Sequence, residues 1–222
     1  MVIPILKKTN SENLMDISEP KINPDDIIIL QDPYFSPDNV CIISGAGTGI
    51  GRAVAVAAAA NGLTVVGLDI NEAAGEETRQ MVLDSGGSMT FIPTDLTRDA
   101  DIEQAVAIAA KDGNIRFLAN IAGIQHIDSV ENFPMEKYEQ MERIMLRAPF
   151  YLSKLVIPHM KTSAPGYGVI ANMASVHAHI CTKNKPVYNI TKFGLRALSQ
   201  SISAEGDGVI RSFTVSSGFV KT

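Results

Sequence analysis

The most restrictive feature of this 222-residue sequence is a regular alternation of short apolar runs with longer helical stretches. The apolar runs, rich in β-branched residues, lie at 39–44, 63–68, 88–93, 115–119, 167–173 and 209–215. Helical patterns lie between them, near 50–61, 71–86, 98–111, 134–160 and 186–205. Continuous apolar strands separated by helices are typical of a parallel sheet buried on both faces. With the right-handed crossover rule, this predicts an α/β fold: a single Rossmann-type doubly wound parallel sheet flanked by helices, over residues 39–222.

Residues 1–38 differ from the rest of the chain. They contain five prolines, several Asn and Asp residues, and a single strong apolar run at 27–30. This composition favours an irregular N-terminal extension. Two interpretations remain open: a tail packed on the domain, or an arm that adds to a neighbouring subunit.

Composition excludes several classes of protein. The net charge is −5 and no basic stripe is present, so we do not expect nucleic acid as a partner. The longest run of small apolar residues, 53–60, is too short to span a membrane, and the N-terminus lacks the apolar core and cleavage site of a signal peptide. Cys41 is expected in the core and not in a disulfide with Cys181, which fits a reducing, cytoplasmic location.

The sequence SGAGTGIG, residues 44–51, joins the first apolar run to an alanine-rich helix. A glycine-rich turn between a strand and a helix predicts a phosphate site, because the first N–H groups of a helix are unpaired and carry partial positive charge. Gly45 would form the turn, Gly49 would let a pyrophosphate approach the backbone, and Gly51 would allow close packing of helix on strand.

Asp69 ends the second apolar run, 18 residues after Gly51. A carboxylate there can accept hydrogen bonds from an adenosine ribose and would repel a 2′-phosphate. No Lys or Arg lies between Gly45 and Gly49 to attract such a phosphate. The pattern favours NAD over NADP, although Asp69 could also be a solvated residue at a strand end.

From about residue 39 to its end, the chain resembles the short-chain dehydrogenase/reductase family. The shared motifs are the glycine spacing, TDLTRDAD after the third strand, LANIAG after the fourth, YNITK, and SGFVKT at 217–222. Within these motifs, two positions depart from the family pattern: Ile121 replaces an Asn and Ser217 replaces a Pro. The resemblance implies NAD-binding residues at Gly45, Thr48, Gly49, Ile50, Gly51, Asp69, Asp95, Leu96, Asn120, Ala122, Gly123, Tyr188, Lys192, Gly218, Val220 and Thr222.

The resemblance also implies a catalytic set of Ser175, Tyr188 and Lys192. Tyr188 and Lys192 are four residues apart, so they share a face of a helix, and the ammonium can stabilise a phenolate. The tyrosine would exchange a proton with the alcohol or ketone as hydride is transferred, and Ser175 would bind the reacting oxygen. Tyr-x3-Lys alone is more often an amphipathic helix surface; Ser175 and the glycine turn favour the catalytic interpretation.

The family usually completes this catalytic set with an Asn in the helix before the fifth strand. At that position this chain has Met145. A thioether is a weak acceptor and no donor. The proton relay that the family's Asn is thought to support is therefore in doubt here. We expect either slow turnover or a nearby group or solvent that takes the place of the Asn in the relay.

The sequences AGIQH and SVHAHICTKNKPVY resemble the D-3-hydroxybutyrate dehydrogenase branch of the family. That branch binds the substrate carboxylate through positions that match Gln125, His177 and Lys185. Singly, they could be a surface amide, a packed ring and a loop lysine; together they favour a carboxylate pocket. The pair His177 and His179 lacks a third ligand, so no metal is expected.

The resemblance implies several further properties. The protein would be a homotetramer or homodimer, with the helices near 134–160 and 186–205 at an interface. The family's lid, a small helix and a last strand would follow Thr222, so we expect them to be missing from this sequence. The first functional hypothesis is NAD-dependent oxidation of 3-hydroxybutyrate or a close hydroxy acid. The alternatives are a 3-oxoacyl or generic ketone reductase, and a nucleotide-binding protein with impaired turnover.

Overall fold

The computed structural model describes residues 22–23, 26–218 and 220. In this part of the chain the strands are β1 Asn39–Ser44, β2 Thr64–Asp69, β3 Ser88–Pro93, β4 Asn114–Asn120, β5 Gly168–Met173 and β6 Ile210–Val215. They form one parallel sheet in the order β3-β2-β1-β4-β5-β6. This is the doubly wound order that places a ligand crevice beyond the carboxyl ends of β1 and β4. The predicted fold class is confirmed, with each strand within one residue of its predicted bounds.

The helices are α1 Gly49–Ala60, α2 Glu72–Asp84, α3 Asp99–Asp112, α4 Met135–Glu142, α5 Ala148–Thr162 and α6 Pro186–Glu205. The helical stretch predicted near 134–160 is divided by a π-helical turn at Arg143–Arg147. Its cause is Pro149, the second residue of α5. Proline has no N–H to donate to the carbonyl of Met145, so the α-helical ladder is interrupted there. The π-helical turn therefore separates α4 from α5 just before this proline.

Apolar side chains cover both faces of the central strands, which explains why these strands are continuous apolar runs. The predicted burial on both faces fails at the edge strand β6, where Phe213 is 49% exposed. All six residues of β1 are buried. On one face Ile42 packs in a cluster with Ile102 of α3 and Leu152 of α5. On the other face Ile43 packs in a second cluster with Ala55 of α1. The two clusters hold the sheet rigidly between its helices, and so fix the edge where the strands end.

The described part of the N-terminal extension lies against the domain. Asn61, which follows α1, accepts a hydrogen bond from the Leu30 N–H at 2.7 Å and donates one to the Ile28 carbonyl at 3.1 Å. The Tyr34 ring stacks on that of Tyr167 with centroids 3.8 Å apart. For these residues, the contacts agree with the interpretation of a tail packed on the domain. The arm interpretation also concerns residues 1–21, 24 and 25, which lie outside the described residues.

Across the described ranges, no helix is both long enough and apolar enough to cross a membrane. Cys41 is buried in β1, whereas Cys181 is exposed, and both are free thiols. Burial raises the pKa of the Cys41 thiol to about 12, which keeps it protonated and unreactive.

Candidate active site

A cleft of about 730 Å³ lies at the carboxyl edge of the sheet. Its size suits a small-molecule or cofactor site. It contains nearly all the site residues predicted from the sequence: Gly45, Thr48, Gly49, Ile50, Gly51, Asp69, Asp95, Leu96, Ala122, Gly123, Gln125, Ser175, His177, Lys185, Tyr188, Lys192, Gly218 and Val220. Asn120 is not among the cleft-lining residues, and Thr222 lies outside the described residues.

At two glycines of the turn between β1 and α1, a side chain would collide with the backbone. Gly45 has φ +74°, and a Cβ on it would lie 2.8 Å from the Ala122 backbone. A Cβ on Gly51 would lie 1.8 Å from the Gly45 carbonyl oxygen, so only glycine fits. The α1 N-terminus opens into the cleft, and the Thr48 side chain makes no capping hydrogen bond to it. This is the geometry that binds a phosphate group.

Asp69 is held rigidly beside the glycine turn. Its carboxylate accepts hydrogen bonds from the Gly47 N–H at 2.8 Å and the Asn71 N–H at 2.9 Å. Sequence reasoning missed a nearby cation, Arg52, which directly follows Gly51. Its guanidinium is occupied by the Gly47 carbonyl and by Glu77, each at 2.7 Å. The fixed negative charge of Asp69 is therefore left facing the cleft.

Asn120 points into the sheet instead of the cleft. Its side-chain amide donates to Asn172 at 2.8 Å, and Asn172 donates in turn to Ser199 of α6 at 2.8 Å. The Asn120 side chain therefore joins β4 to β5, and a contact with a cofactor would have to come from its backbone. Ser44 likewise connects two strand ends: its hydroxyl, at the end of β1, accepts a hydrogen bond from the Ile121 N–H after β4 at 3.0 Å. The sequence analysis did not identify Asn172 and Ser44 as hydrogen-bond partners. Their signal in the sequence is a polar residue near the end of a buried strand.

The three predicted catalytic residues meet in the cleft. Ser175 follows β5 and is 5% exposed. Tyr188 and Lys192 lie on the first two turns of α6, and the Lys192 ammonium is 5.4 Å from the centroid of the Tyr188 ring. The positive end of the α6 dipole lies at the same place. A negative charge developing on the tyrosine oxygen would thus be stabilised by a cation and a helix N-terminus.

Lys192 carries its charge in a buried position. The side chain is 3% exposed and donates to the Met173 carbonyl at 2.6 Å. Burial lowers the pKa of Lys192 to about 8, because the ammonium is poorly solvated. At neutral pH it is still mostly protonated, so the cleft keeps its cation.

Of the three residues predicted to bind a substrate carboxylate, two lie beside Tyr188. The Lys185 ammonium lies 5.9 Å from the Tyr188 ring centroid, and His177 packs edge-on against that ring at 5.4 Å. Gln125 lines the cleft from the loop after β4. His179 does not belong to this group: its ring nitrogens pair with Ser216 and Arg196. In the described part of the chain, no group of three or more His, Cys, Asp or Glu side chains could hold a metal ion.

Met145 lies inside the π-helical turn and is fully buried. It packs in a cluster with Met141, Val187 and Tyr188, and a Cβ on Gly123 would be 3.4 Å from its sulfur. A thioether therefore fills this position behind the tyrosine, and it neither donates a hydrogen bond nor carries a proton.

A larger apolar groove of about 1600 Å³ runs beside α1, but it contains none of the predicted catalytic residues. The smaller cleft combines the titratable groups with the helix N-terminus. For this reason we identify it as the candidate active site.

Comparison with known proteins agrees with this geometry. Residues 39–222 match the family model for short chain dehydrogenases. An uncharacterized oxidoreductase of Bacillus subtilis (strain 168) is 34% identical over 166 residues, which are 74% of this chain and 64% of that protein. A D-beta-hydroxybutyrate dehydrogenase of Rhizobium meliloti (strain 1021) is 29% identical over 167 residues, with the same two coverages. The chain therefore spans about 64% of the length of these curated relatives.

A solved structure has the same fold. A metagenomic short-chain oxidoreductase in complex with NADP superimposes with a TM-score of 0.78 at 23% identity, covering 84% of this chain and 85% of that one. The likeness supports the doubly wound architecture, while the bound NADP is a property of that protein.

The buried ammonium of Lys192 generates a prediction about stability. Its pKa is about 8 in the folded protein against 10.5 for an ordinary lysine, so the charge costs about 3 kcal/mol below pH 8. Between pH 8 and 10.5 the unfolded chain binds more protons, and stability rises with pH. We expect Lys192→Met to raise the free energy of unfolding at pH 7, measured by urea denaturation, and to lose this advantage as pH approaches 10.5.

The matched control is Lys154→Met, at an exposed lysine of α5. It should change stability little at either pH. A Lys192→Met protein that is less stable than the wild type by the same amount at pH 7 and pH 10 would contradict the assigned burial cost.

Proposed function

Because the chain belongs to the short-chain dehydrogenase family, we propose that it is an NAD-dependent oxidoreductase that interconverts a secondary alcohol and a ketone. The observation that carries the proposal is that Ser175, Tyr188 and Lys192 line the same cleft as the glycine turn. The glycine turn and the α1 N-terminus would hold the diphosphate of the dinucleotide. When bound, its nicotinamide accepts or gives the hydride.

The protein's own residues would manage the proton. In oxidation, the Tyr188 phenolate takes the alcohol proton as the carbon loses hydride, and in reduction the tyrosine returns it. The Lys192 ammonium and the α6 N-terminus stabilise the phenolate, while the Ser175 hydroxyl fixes the position of the reacting oxygen. These roles need all three groups in one cleft, as the structure has them.

The charge distribution beside the glycine turn supports NAD. The Asp69 carboxylate, fixed by two backbone N–H groups, would bind the adenosine ribose and repel a 2′-phosphate. Arg52 is already paired with Glu77, which weakens it as a partner for such a phosphate. Asp95 and Leu96 line the cleft after β3, where the adenine would lie.

Lys185 favours a substrate with a carboxylate. It is a cation in the cleft wall close to Tyr188, so an acid group bound there would lie near the proton-transfer site. Gln125 supplies an amide donor from the opposite loop. A short hydroxy acid, 3-hydroxybutyrate or a close relative, fits both groups. A generic ketone reductase of the same fold would not depend on Lys185.

Met145 favours a second candidate function, a nucleotide-binding protein with impaired turnover. It places an apolar, fully buried side chain in the helix that packs behind Tyr188. Tight binding of NADH without steady-state turnover would be the signature of this second function.

The proposed function predicts a substrate profile that can be measured directly. We expect turnover of short hydroxy acids in a panel of alcohols and acids, with NAD preferred to NADP. Tyr188→Phe should remove turnover, because no other group in the proposed scheme takes the proton, while NADH fluorescence titration should show retained binding. Activity that survives Tyr188→Phe would overturn the proton-transfer assignment.

A second prediction concerns the acid pocket. Lys185→Ala should raise KM for 3-hydroxybutyrate roughly tenfold to a hundredfold, because a charge-assisted hydrogen bond contributes about 1.5–3 kcal/mol. The effect should be absent for an uncharged secondary alcohol. Lys183→Ala, at an exposed position of the same loop, is the matched control. An unchanged KM in Lys185→Ala would refute the carboxylate pocket and favour the generic reductase.

We further propose that the chain forms a homo-oligomer through α5 and α6. Large apolar side chains on these helices are exposed, with Phe150 at 56% and Ile190 at 52%. Exposed apolar surface on long helices is typical of an interface. Analytical ultracentrifugation should show a dimer or tetramer that Ile190→Glu weakens, whereas a wild-type monomer at micromolar concentration would contradict this.

A further inference from the structure

Two loops carry the side chains that would bind a substrate carboxylate, and a backbone hydrogen bond ties these loops together. Gln125 lies in the loop after β4, and Lys185 lies in the loop before α6. The Asp128 N–H of the first loop donates to the Asn184 carbonyl of the second at 2.9 Å. This bond is three residues from Gln125 and one residue from Lys185 along the chain, so it fixes the two loops close to both groups.

The Asn184 backbone has a conformation that few side chains tolerate. Its φ is +59°, and among the non-glycine residues of the described ranges only Asp207 also has a positive φ. Most L-residues avoid this left-handed region because Cβ approaches the carbonyl oxygen, whereas asparagine and aspartate enter it more readily. Because Asn184 is exposed, what it contributes is the direction in which its backbone turns.

Hydrogen bonds on both sides fix the backbone of Lys185. Its carbonyl accepts from the Asn189 N–H at 2.9 Å, which anchors it to the first turn of α6. On the other side, the bond from Asp128 holds the peptide group that joins Asn184 to Lys185. The lysine therefore leaves a backbone that is held at both ends, and its ammonium lies 5.9 Å from the centroid of the Tyr188 ring.

We propose that Asn184 is a positioning residue for the acid pocket. Its left-handed backbone directs its carbonyl at Asp128, and this fixes Lys185 relative to Gln125, so that both groups meet one substrate carboxylate. The inference rests on the proposed function, since it concerns the substrate of that reaction. A lysine on a tied loop binds an acid more tightly than one on a free loop, because the loop loses less conformational freedom on binding.

The same turn would be present if Asn184 did no more than start α6. A residue that disfavours a positive φ would then lower stability without acting on the binding of the acid in particular. Asp207 offers the comparison, because it has φ +49° in the turn between α6 and β6 and is not among the residues that line the cleft. An effect seen at both positions therefore reports on the backbone, and an effect on KM at Asn184 alone reports on the pocket.

Kinetics on a graded set of variants test the proposal. Valine, branched at Cβ, is strongly disfavoured at positive φ, alanine is disfavoured less, and glycine adopts it freely. We expect Asn184→Val to raise KM for 3-hydroxybutyrate about tenfold with little change in kcat, because a displaced ammonium loses part of its charge-assisted hydrogen bond. Asn184→Ala should show a smaller rise, and Asn184→Gly should keep the wild-type KM. An uncharged secondary alcohol should show no rise in any of these variants.

Asp207→Val is the matched control. It places the same side chain at the other positive φ, so it should lower the free energy of unfolding about as much as Asn184→Val does and leave KM unchanged. An unchanged KM for 3-hydroxybutyrate in Asn184→Val, or an equal rise in Asp207→Val, would overturn the proposal.

A double-mutant cycle shows whether Asn184 acts through Lys185. Once Lys185 is replaced by alanine, Asn184→Val should raise KM no further, because the group that the turn positions is gone. The same rise in KM with and without the lysine would show that Asn184 acts independently of it and would contradict the assigned role.

Hydrogen exchange gives a readout that does not need turnover. In mass spectrometry of fragments that cover residues 124–132, the Asp128 amide should exchange about tenfold faster in Asn184→Val than in the wild type or Asn184→Gly. Equal exchange in all three proteins would refute the link between the loops. Absence of turnover by the wild type on the whole substrate panel would overturn the proposed function, whereas turnover with an unchanged KM in Asn184→Val would overturn the role of Asn184 alone.

Discussion

The strands of this sheet are all parallel and its central strands are buried, and that constraint decides where the protein can place polar groups. Parallel strands all end at one edge, and the backbone and polar side chains there must be satisfied without water. Ser44, Asn120 and Asn172 make such hydrogen bonds at the ends of β1, β4 and β5, although the Asn120 Oδ1 is buried without a partner among the described residues. Their hydrogen bonds hold the strand ends in register, and the glycine turn and Ser175 follow directly from those ends. The rigidity of the candidate site therefore originates in the sheet.

The proposed chemistry at this edge needs a cation, and Lys192 supplies it. Its buried surroundings disfavour the charged form of the lysine. Its ammonium is buried with one carbonyl partner, so its charge is destabilising until something negative forms beside it. In the proposed reaction, that charge would be a phenolate on Tyr188. The buried lysine would then be pre-organised for the reacting state, because its ammonium is already in place when the negative charge forms.

The sequence predicts the strands and the glycine turn well, but it predicts the hydrogen-bond partners of buried polar side chains poorly. Strand bounds were within one residue because continuous apolar runs leave little choice for buried parallel strands. The glycine turn was predictable since the contact between Gly51 and Gly45 excludes a side chain. The inward turn of Asn120 was not, because the amide could equally have faced the cleft, and only its pairing with Asn172 decides. The partner that occupies each nitrogen of His177 likewise depends on how the loop after β5 folds.

Met145 makes the loop after β5 more important than it would otherwise be. The thioether packs on one side of Tyr188 and offers no exchangeable proton. On the other side lie Ser175 and, through it, His177, whose second nitrogen reaches an exposed hydroxyl. In the proposed reaction, the polar groups that orient the substrate beside Tyr188 would therefore come from this loop and not from the helical segment that holds Met145.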